Sequence, residues 1–201
     1  MLTLVVDVEV DVEGNNPSPY VANNANSLSA IGFMRIGYDE KPKIIRIKDF
    51  MIIDEHKSTE ELFRECLATC DYIVCHNSKF DVGWLRAVGY EVSSKITCTM
   101  INEYLLQKAV RKPLRDEGDE YLSTDVIATK EIYLKQLEEF RKPSNISMEP
   151  IKDLMSQFCN VLVDIEANGM KIDMDVLNKV DSDYATEQNE LNIYLSSTVK
   201  K

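Results

Sequence analysis

The stretch Leu2-Thr3-Leu4-Val5-Val6-Asp7-Val8-Glu9-Val10-Asp11 decides how the rest of the chain is read. Residues 2–8 are mostly apolar and β-branched, which predicts a buried strand with carboxylates at its end. Side chains at i and i+2 of a strand share a face, so Asp7 and Glu9 leave the sheet together. Like charges held that close are costly unless a cation or a proton lies between them. An exposed edge strand without any function meets the same spacing, and Asp11 and Glu13 offer further same-face pairings. The apolar run before Asp7 selects Asp7 and Glu9 as the pair at the strand end.

Working outward, residues 14–26 are rich in Gly, Asn, Pro and Ser and read as a loop. Residues 28–37 and 43–48 predict two further strands joined by a turn at 39–42, so the first three strands suit an antiparallel meander. Ser58 with Glu61 three positions on has the form of a capping box, for a helix to about residue 69. Residues 72–75 predict a short apolar strand and 80–88 a helix closed by Gly89. A further helix fits 97–108, with Met100, Ile101, Tyr104 and Leu105 on one face. Residues 109–119 are charged and irregular. Helix returns over 120–141, KPSNISMEP (142–150) reads as a linker, and helices fit 150–167 and 174–198 around a turn at Asn168-Gly169. The last helix carries an apolar stripe with gaps, of Leu177, Val180, Tyr184, Leu191 and Leu195, which predicts a core-facing side or one that meets a partner surface outside this chain. Strands first and βα units after predict an α/β domain over 1–141, followed by a helical appendage over 142–201.

The chain's 201 residues and 44% hydrophobic content suffice for one full core. No apolar run is long enough to span a membrane, and the N-terminus goes from apolar straight to acidic without the basic start of a signal peptide. A cytoplasmic protein is expected. The formal charge of −11 argues against holding nucleic acid by a broad basic surface, though not against meeting phosphate through bound cations. Five cysteines (Cys66, Cys70, Cys75, Cys98 and Cys159) without a C-x-x-C pair, and only His56 and His76 beside them, predict free, mostly buried thiols rather than a zinc site.

Two more clusters carry chemistry. His76-Asn77-Ser78-Lys79-Phe80-Asp81 follows the strand YIVC directly and opens a helix, where open α/β sheets place their ligands. Asp81 equally suits a helix first turn, complementing the dipole. Tyr121 and Asp125 stand at i and i+4 on one helix face, a spacing that most helices contain. As an ordered set, the acids of a first strand, a strand-to-helix junction and a late helix suit two divalent metals about 3.5–4 Å apart with oxygen ligands. Such a pair binds a scissile phosphate, lowers the pKa of an attacking water and stabilises the leaving oxygen. Tyr121 serves there by its neutral hydroxyl, its ordinary pKa being about 10. His76 reads as structural, since hard cations prefer oxygen. Trp84 and Phe80 fall on an apolar helix face and read as core.

VVDVE, HNSKFD and YLSTD resemble, in this order, the three motifs of DnaQ-like exonucleases. The form Y-x-x-x-D of the last is similar to the tyrosine (DEDDy) subclass. With HN-x-K-FD followed by Trp84-Leu85, the set resembles the proofreading domain of family A (polymerase I-like, phage-type) DNA polymerases over about residues 1–140. The resemblance implies a ribonuclease H-like mixed sheet flanked by helices, and a 3′→5′ exodeoxyribonuclease acting on single-stranded or frayed DNA 3′ ends. It implies Asp7, Glu9, Asp81 and Asp125 as ligands of two Mg2+ or Mn2+ ions and Tyr121 as the residue placing the water. Asn77, Lys79 and Phe80 would lie beside the substrate strand or support Asp81. VDIEANGMKIDMDVL is similar to the segment opening the polymerase domain of that family, which implies a polymerase domain as partner in a longer protein, in a bacterial or phage-infected cell. Two departures stand out: Val10 replaces the usual threonine, and only residues 107–120 separate Leu106 from Tyr121, fewer than usual. A 3′→5′ exoribonuclease similar to RNase D shares the carboxylate set, and a non-catalytic scaffold keeps the fold. DNA and RNA ends differ at the 2′-hydroxyl.

Overall fold

The structure is a computed structural model that describes residues 2–13, 16–20, 26–48, 51–106 and 119–198. Within it, Met1–Ala167 forms one compact unit and Asn168–Lys201 a second. Most of the short segment before Tyr121, and with it the irregular stretch predicted there, lies outside the described residues.

Among the described residues, six strands form one mixed sheet in the order β4-β3-β2-β1-β5-β6. β1 (Thr3–Asp11), β2 (Ser27–Arg35), β3 (Lys43–Lys48) and β4 (Met51–Ile52) run antiparallel in sequence, so the predicted meander forms and gains a short fourth strand. β5 (Tyr72–Cys75) and β6 (Lys95–Cys98) then lie parallel to β1. β1 is therefore central, but it pairs with β5 only from Thr3 to Val5. The two acids expected at its end are inside it instead, on the part that runs past β5.

Strand alternation sorts β1 between two cores. Leu4, Val6 and Val8 join Phe33, Phe63, Ile73, Val82 and Leu85 on one side of the sheet. Helices α1 (Lys57–Thr69) and α2 (Ser78–Ala87) supply that layer. Val5 packs on the other side with Met34, Val74, Val126 and Tyr133, under α4 (Asp119–Phe140). By the same parity Asp7 and Glu9 face α4.

Several local expectations are corrected. Ser58 lies inside α1 and makes no cap; His56 holds the N-cap position without a side-chain bond. The helix expected over 97–108 is two elements, β6 and then α3 (Thr99–Leu105). Ile96, Thr97 and Cys98 are buried, and a β-branched run over a neighbouring strand forms sheet before helix. Of the residues expected on one face of that helix, Met100 and Tyr104 are exposed. The segment read as a linker contains a 3-10 turn, Ile146–Met148, and leads into α5 (Glu149–Asn168).

α5 belongs to the first unit and buries Ser156, Cys159 and Val163. Arg86 of α2 ties it down, donating to Asp164 at 3.0 Å and to Asn160 at 2.5 Å. All five cysteines are free and buried, as expected. In the second unit, α6 (Met174–Thr198) is capped by Asp173, whose Oδ1 accepts the amides of Asp175 and Val176 at 3.1 and 3.2 Å. Its stripe of Leu177, Val180, Tyr184, Leu191 and Leu195 is exposed rather than core-facing. Among the described residues, no helix is long and apolar enough to cross a membrane.

Candidate active site

β1 and α4 meet across the face that Asp7 and Glu9 occupy. Asp7 pairs in register with Gly32 of β2, and Glu9 with Ala30. The pairing slips immediately after Glu9, a bulge of the kind that re-aims neighbouring side chains. On α4, Tyr121 and Asp125 stand one turn apart. One oxygen from each of Asp7, Glu9 and Asp125 lies within 4.8 Å of the other two. Two distant stretches of sequence thus put three carboxylates in one place.

Asp81 enters from α2. It is 2% exposed, and its Oδ1 accepts the amide of Val8 at 3.3 Å. The residue between the two β1 acids therefore anchors the fourth carboxylate. All four acids, with Tyr121, Phe80 and His76, line one cleft of about 820 Å³. Its further wall carries Glu103, Leu106, Ile132, Lys135 and Gln136.

Crowding these acids raises their proton affinity. Burial, then the Asp125 charge, then Glu9 push the Asp7 carboxyl up to about 8. Burial raises Asp81 well above the usual carboxylate range, and Asp7 adds to it. Glu9 is raised by burial and by Asp125, against the pull of Arg46. Burial raises Asp125 too, against a hydrogen bond from Tyr121 and the nearby His76. Tyr121 itself is pushed up to about 12, chiefly by burial and by that bond, so its hydroxyl keeps its proton.

Among the described residues, Asp81 Oδ2 and Asp125 Oδ1 are buried and accept no hydrogen bond. A buried acceptor left bare costs about 1–3 kcal/mol, more if charged. Hard oxygen donors, mutual repulsion and two bare buried oxygens fit divalent cations of the Mg2+ or Mn2+ type.

No family model matches the chain, and no curated protein matches it. Solved structures do. Brucella melitensis NrnC superimposes with a TM-score of 0.60 at 13% identity, over 83% of this chain and 86% of that one. The same protein with bound Mg2+ gives 0.58 at 13% identity, again over 83% and 86%. A structure described as the apo form of the nuclease gives 0.61 at 15% identity, over 83% and 85%. The fold is ribonuclease H-like. It is an α/β fold shared with nucleases, and at these identities the likeness extends to the fold alone. The finer resemblance to family A polymerases receives no support from these comparisons.

Of the other residues singled out in the sequence, Phe80 is half-buried and lines the cleft. Asn77 and Lys79 are not among the lining residues. Lys79 instead pairs with Glu166 of α5 at 2.5 Å, and Asn77 is the α2 N-cap residue, in the left-handed conformation at φ 78°. Asn tolerates that conformation better than other residues with a Cβ, which lets the chain turn sharply from β5 into α2. Trp84 is core, 3% exposed, and its indole N–H donates to the Pro17 carbonyl at 3.0 Å. Tyr20 donates to the Gly83 carbonyl at the same distance, so residues 17–20 are strapped onto α2.

Three features escaped the sequence reading. Gly32 is one: a Cβ there would sit 2.8 Å from Leu122 Cγ and 2.9 Å from Val126 Cγ2. The absent side chain lets α4 descend onto β2, beside Asp7. A glycine inside an apolar strand signals a close backbone approach, and that cue was present. The second is Gln136, 2% exposed, which donates to the Thr99 carbonyl at 2.9 Å and to Glu103 at 2.7 Å while accepting from Asn102 at 3.0 Å. It fastens α3 to α4. The third is the bond between His76 Nδ1 and Thr99 Oγ1 at 2.9 Å, which only the tertiary fold creates.

Proposed function

We propose that this chain is a metal-dependent 3′→5′ exonuclease that hydrolyses the terminal phosphodiester of a DNA strand. The reading is carried by the convergence of Asp7, Glu9 and Asp125 within 4.8 Å, with buried Asp81 beside them, in a cleft roomy enough for a strand end. Asp7, Glu9, Asp81 and Asp125 would hold a pair of divalent cations. Bound there, the ions would supply positive charge to the scissile phosphate and acidify a water. Tyr121 keeps its hydroxyl proton and is held by Asp125, so it orients the attacking water rather than removing its proton. Phe80 offers an apolar wall to the terminal nucleotide. The protein thus meets a polyanion through cations rather than basic side chains, which suits a net charge of −11.

The proofreading role, the DNA substrate and a partner polymerase domain following residues 142–201 rest on the motif resemblance. A second reading, cleavage of short RNA oligonucleotides, gains from a neighbour of this fold, Brucella melitensis NrnC, which was solved bound to pGG. Digestion of 5′-labelled DNA and RNA oligonucleotides of one sequence, with Mg2+, Mn2+ or chelator, tests both. Stepwise shortening from the 3′ end that stops with chelator and in Asp7→Ala is expected. Shortening that persists in Asp7→Ala would remove the assigned site.

A further inference from the structure

His76 lies on the cleft wall next to the carboxylates, yet the exonuclease reading gives it no task. Its surroundings fix which of its nitrogens carries hydrogen. Thr99, the first residue of α3, is fully buried, and its Oγ1 lies 3.3 Å from the Cys75 carbonyl oxygen and 2.9 Å from His76 Nδ1. A hydroxyl has one hydrogen to donate, and a carbonyl can only accept. Both contacts are hydrogen bonds at once only when Thr99 gives its hydrogen to Cys75 and takes one from His76 Nδ1. A neutral imidazole carries only one such hydrogen, which leaves Nε2 a bare acceptor. The Nδ1 edge is turned to the buried hydroxyl, and the part of His76 left accessible lines the cleft. What His76 presents to a ligand is a fixed lone pair. Phosphate oxygens only accept and cannot use it. The sugar hydroxyls of a strand end can.

Resting on the exonuclease reading, we propose that His76 determines specificity by accepting a hydrogen bond from a hydroxyl of the terminal sugar, and that Thr99 is the positioning residue that sets its tautomer. The ligand class is a nucleotide 3′ end with a free hydroxyl at the 3′ or the 2′ carbon. A site built to bond a hydroxyl discriminates against the analogue lacking it, because its own acceptor is then left unmet.

The test uses the full chain with Mg2+ and four oligonucleotides that differ only in the last sugar: deoxyribose, ribose, 3′-deoxyribose and 2′,3′-dideoxyribose. For the unaltered protein, kcat/KM on the dideoxy end should fall about tenfold below the best hydroxyl end, the order expected of one hydrogen bond. The two single-hydroxyl ends identify which hydroxyl is read. His76→Ala should bring that ratio to about one while still shortening all four. Thr99→Val should do the same, and Thr99→Ser, which restores the hydroxyl, should recover the ratio. That pair decides the matter even if His76→Ala does not fold, as thermal melting will show. A ratio that survives in His76→Ala, or equal ratios in Thr99→Val and Thr99→Ser, overturns the proposal. So does a protein that removes all four ends at one rate. Removal of none of them overturns the exonuclease reading itself, and this inference with it.

Discussion

Asp7 lies close to Asp125 and Glu9, and burial with those neighbours pushes its carboxyl up to about 8. Asparagine has the same shape without the charge. Asp7→Asn should therefore raise the melting temperature of the chelated protein near pH 8 by a few degrees while abolishing strand shortening. Adding Mg2+ should stabilise the original protein more than the variant. A variant that melts lower than the original in chelator at that pH contradicts the crowding of these acids. Tyr121 permits a cleaner separation, because its neutral hydroxyl serves the water and not the cation. Tyr121→Phe should lower kcat by about 10²-fold, at the low end of what a positioned proton-bearing group supplies, and leave the Mg2+-induced shift in melting temperature intact. Loss of that shift would reassign Tyr121 to cation binding. At this scale the sequence was informative where chemistry repeats with backbone period: two acids at i, i+2 on a strand, a tyrosine and an acid at i, i+4 on a helix. It was silent on the His76–Thr99 bond, whose partners lie 23 residues apart and meet only once β5 and β6 pair.

Among the elements, α4 decides the site, since it delivers both Tyr121 and Asp125. Its height above the sheet is set at Gly32, where an added Cβ would lie 2.8 Å from Leu122 Cγ. Gly32→Ala must push α4 outward or distort Leu122. Overpacking of this kind costs about 1–3 kcal/mol, and a displacement on the order of 1 Å at a reacting group can cost about 10²-fold in rate. Leu122→Ala removes the nearer of the two groups that would be struck and leaves Val126 Cγ2 at 2.9 Å. The double variant should thus regain part of the activity lost by Gly32→Ala, a coupling that a double-mutant cycle reads directly. Additive losses would show that Gly32 does not set the helix height. The element order was largely legible, because β1 to β3, β5 and α4 to α6 have strong patterns and clear ends. β6 was not: the run Ile96-Thr97 before Cys98 is too short to separate from the start of α3 by periodicity, and only a β5 edge awaiting a parallel partner decides it. The apolar stripe on α6 shows the converse failure, since helical period reports an apolar face but not what covers it.

Over the whole molecule, the acid cluster sets how stability depends on pH. A carboxyl whose pKa is higher folded than unfolded binds its proton more tightly in the native state, so stability falls as pH rises through that interval. For Asp7 the interval runs from 3.8 to about 8, and Glu9, Asp81 and Asp125 shift the same way. Among the described residues, three groups act in the opposite sense. Asp39, held down by Arg35, and Asp54, held down by Lys57, lose their contributions only below 3.8, and His76, held down mainly by burial, acts only below 6.5. Between 6.5 and about 8 the Asp7 contribution is therefore not offset by any of them. The chelated protein should lose melting temperature steadily across that window, and Asp7→Asn should flatten the loss. Divalent cations need the deprotonated acids and bind the folded form, so they stabilise by mass action more strongly as pH rises. The Mg2+-induced rise in melting temperature should accordingly be larger near pH 8 than near pH 6 and should shrink in Asp7→Asn at both. A rise that is independent of pH and of Asp7 would place the cation somewhere other than this cleft.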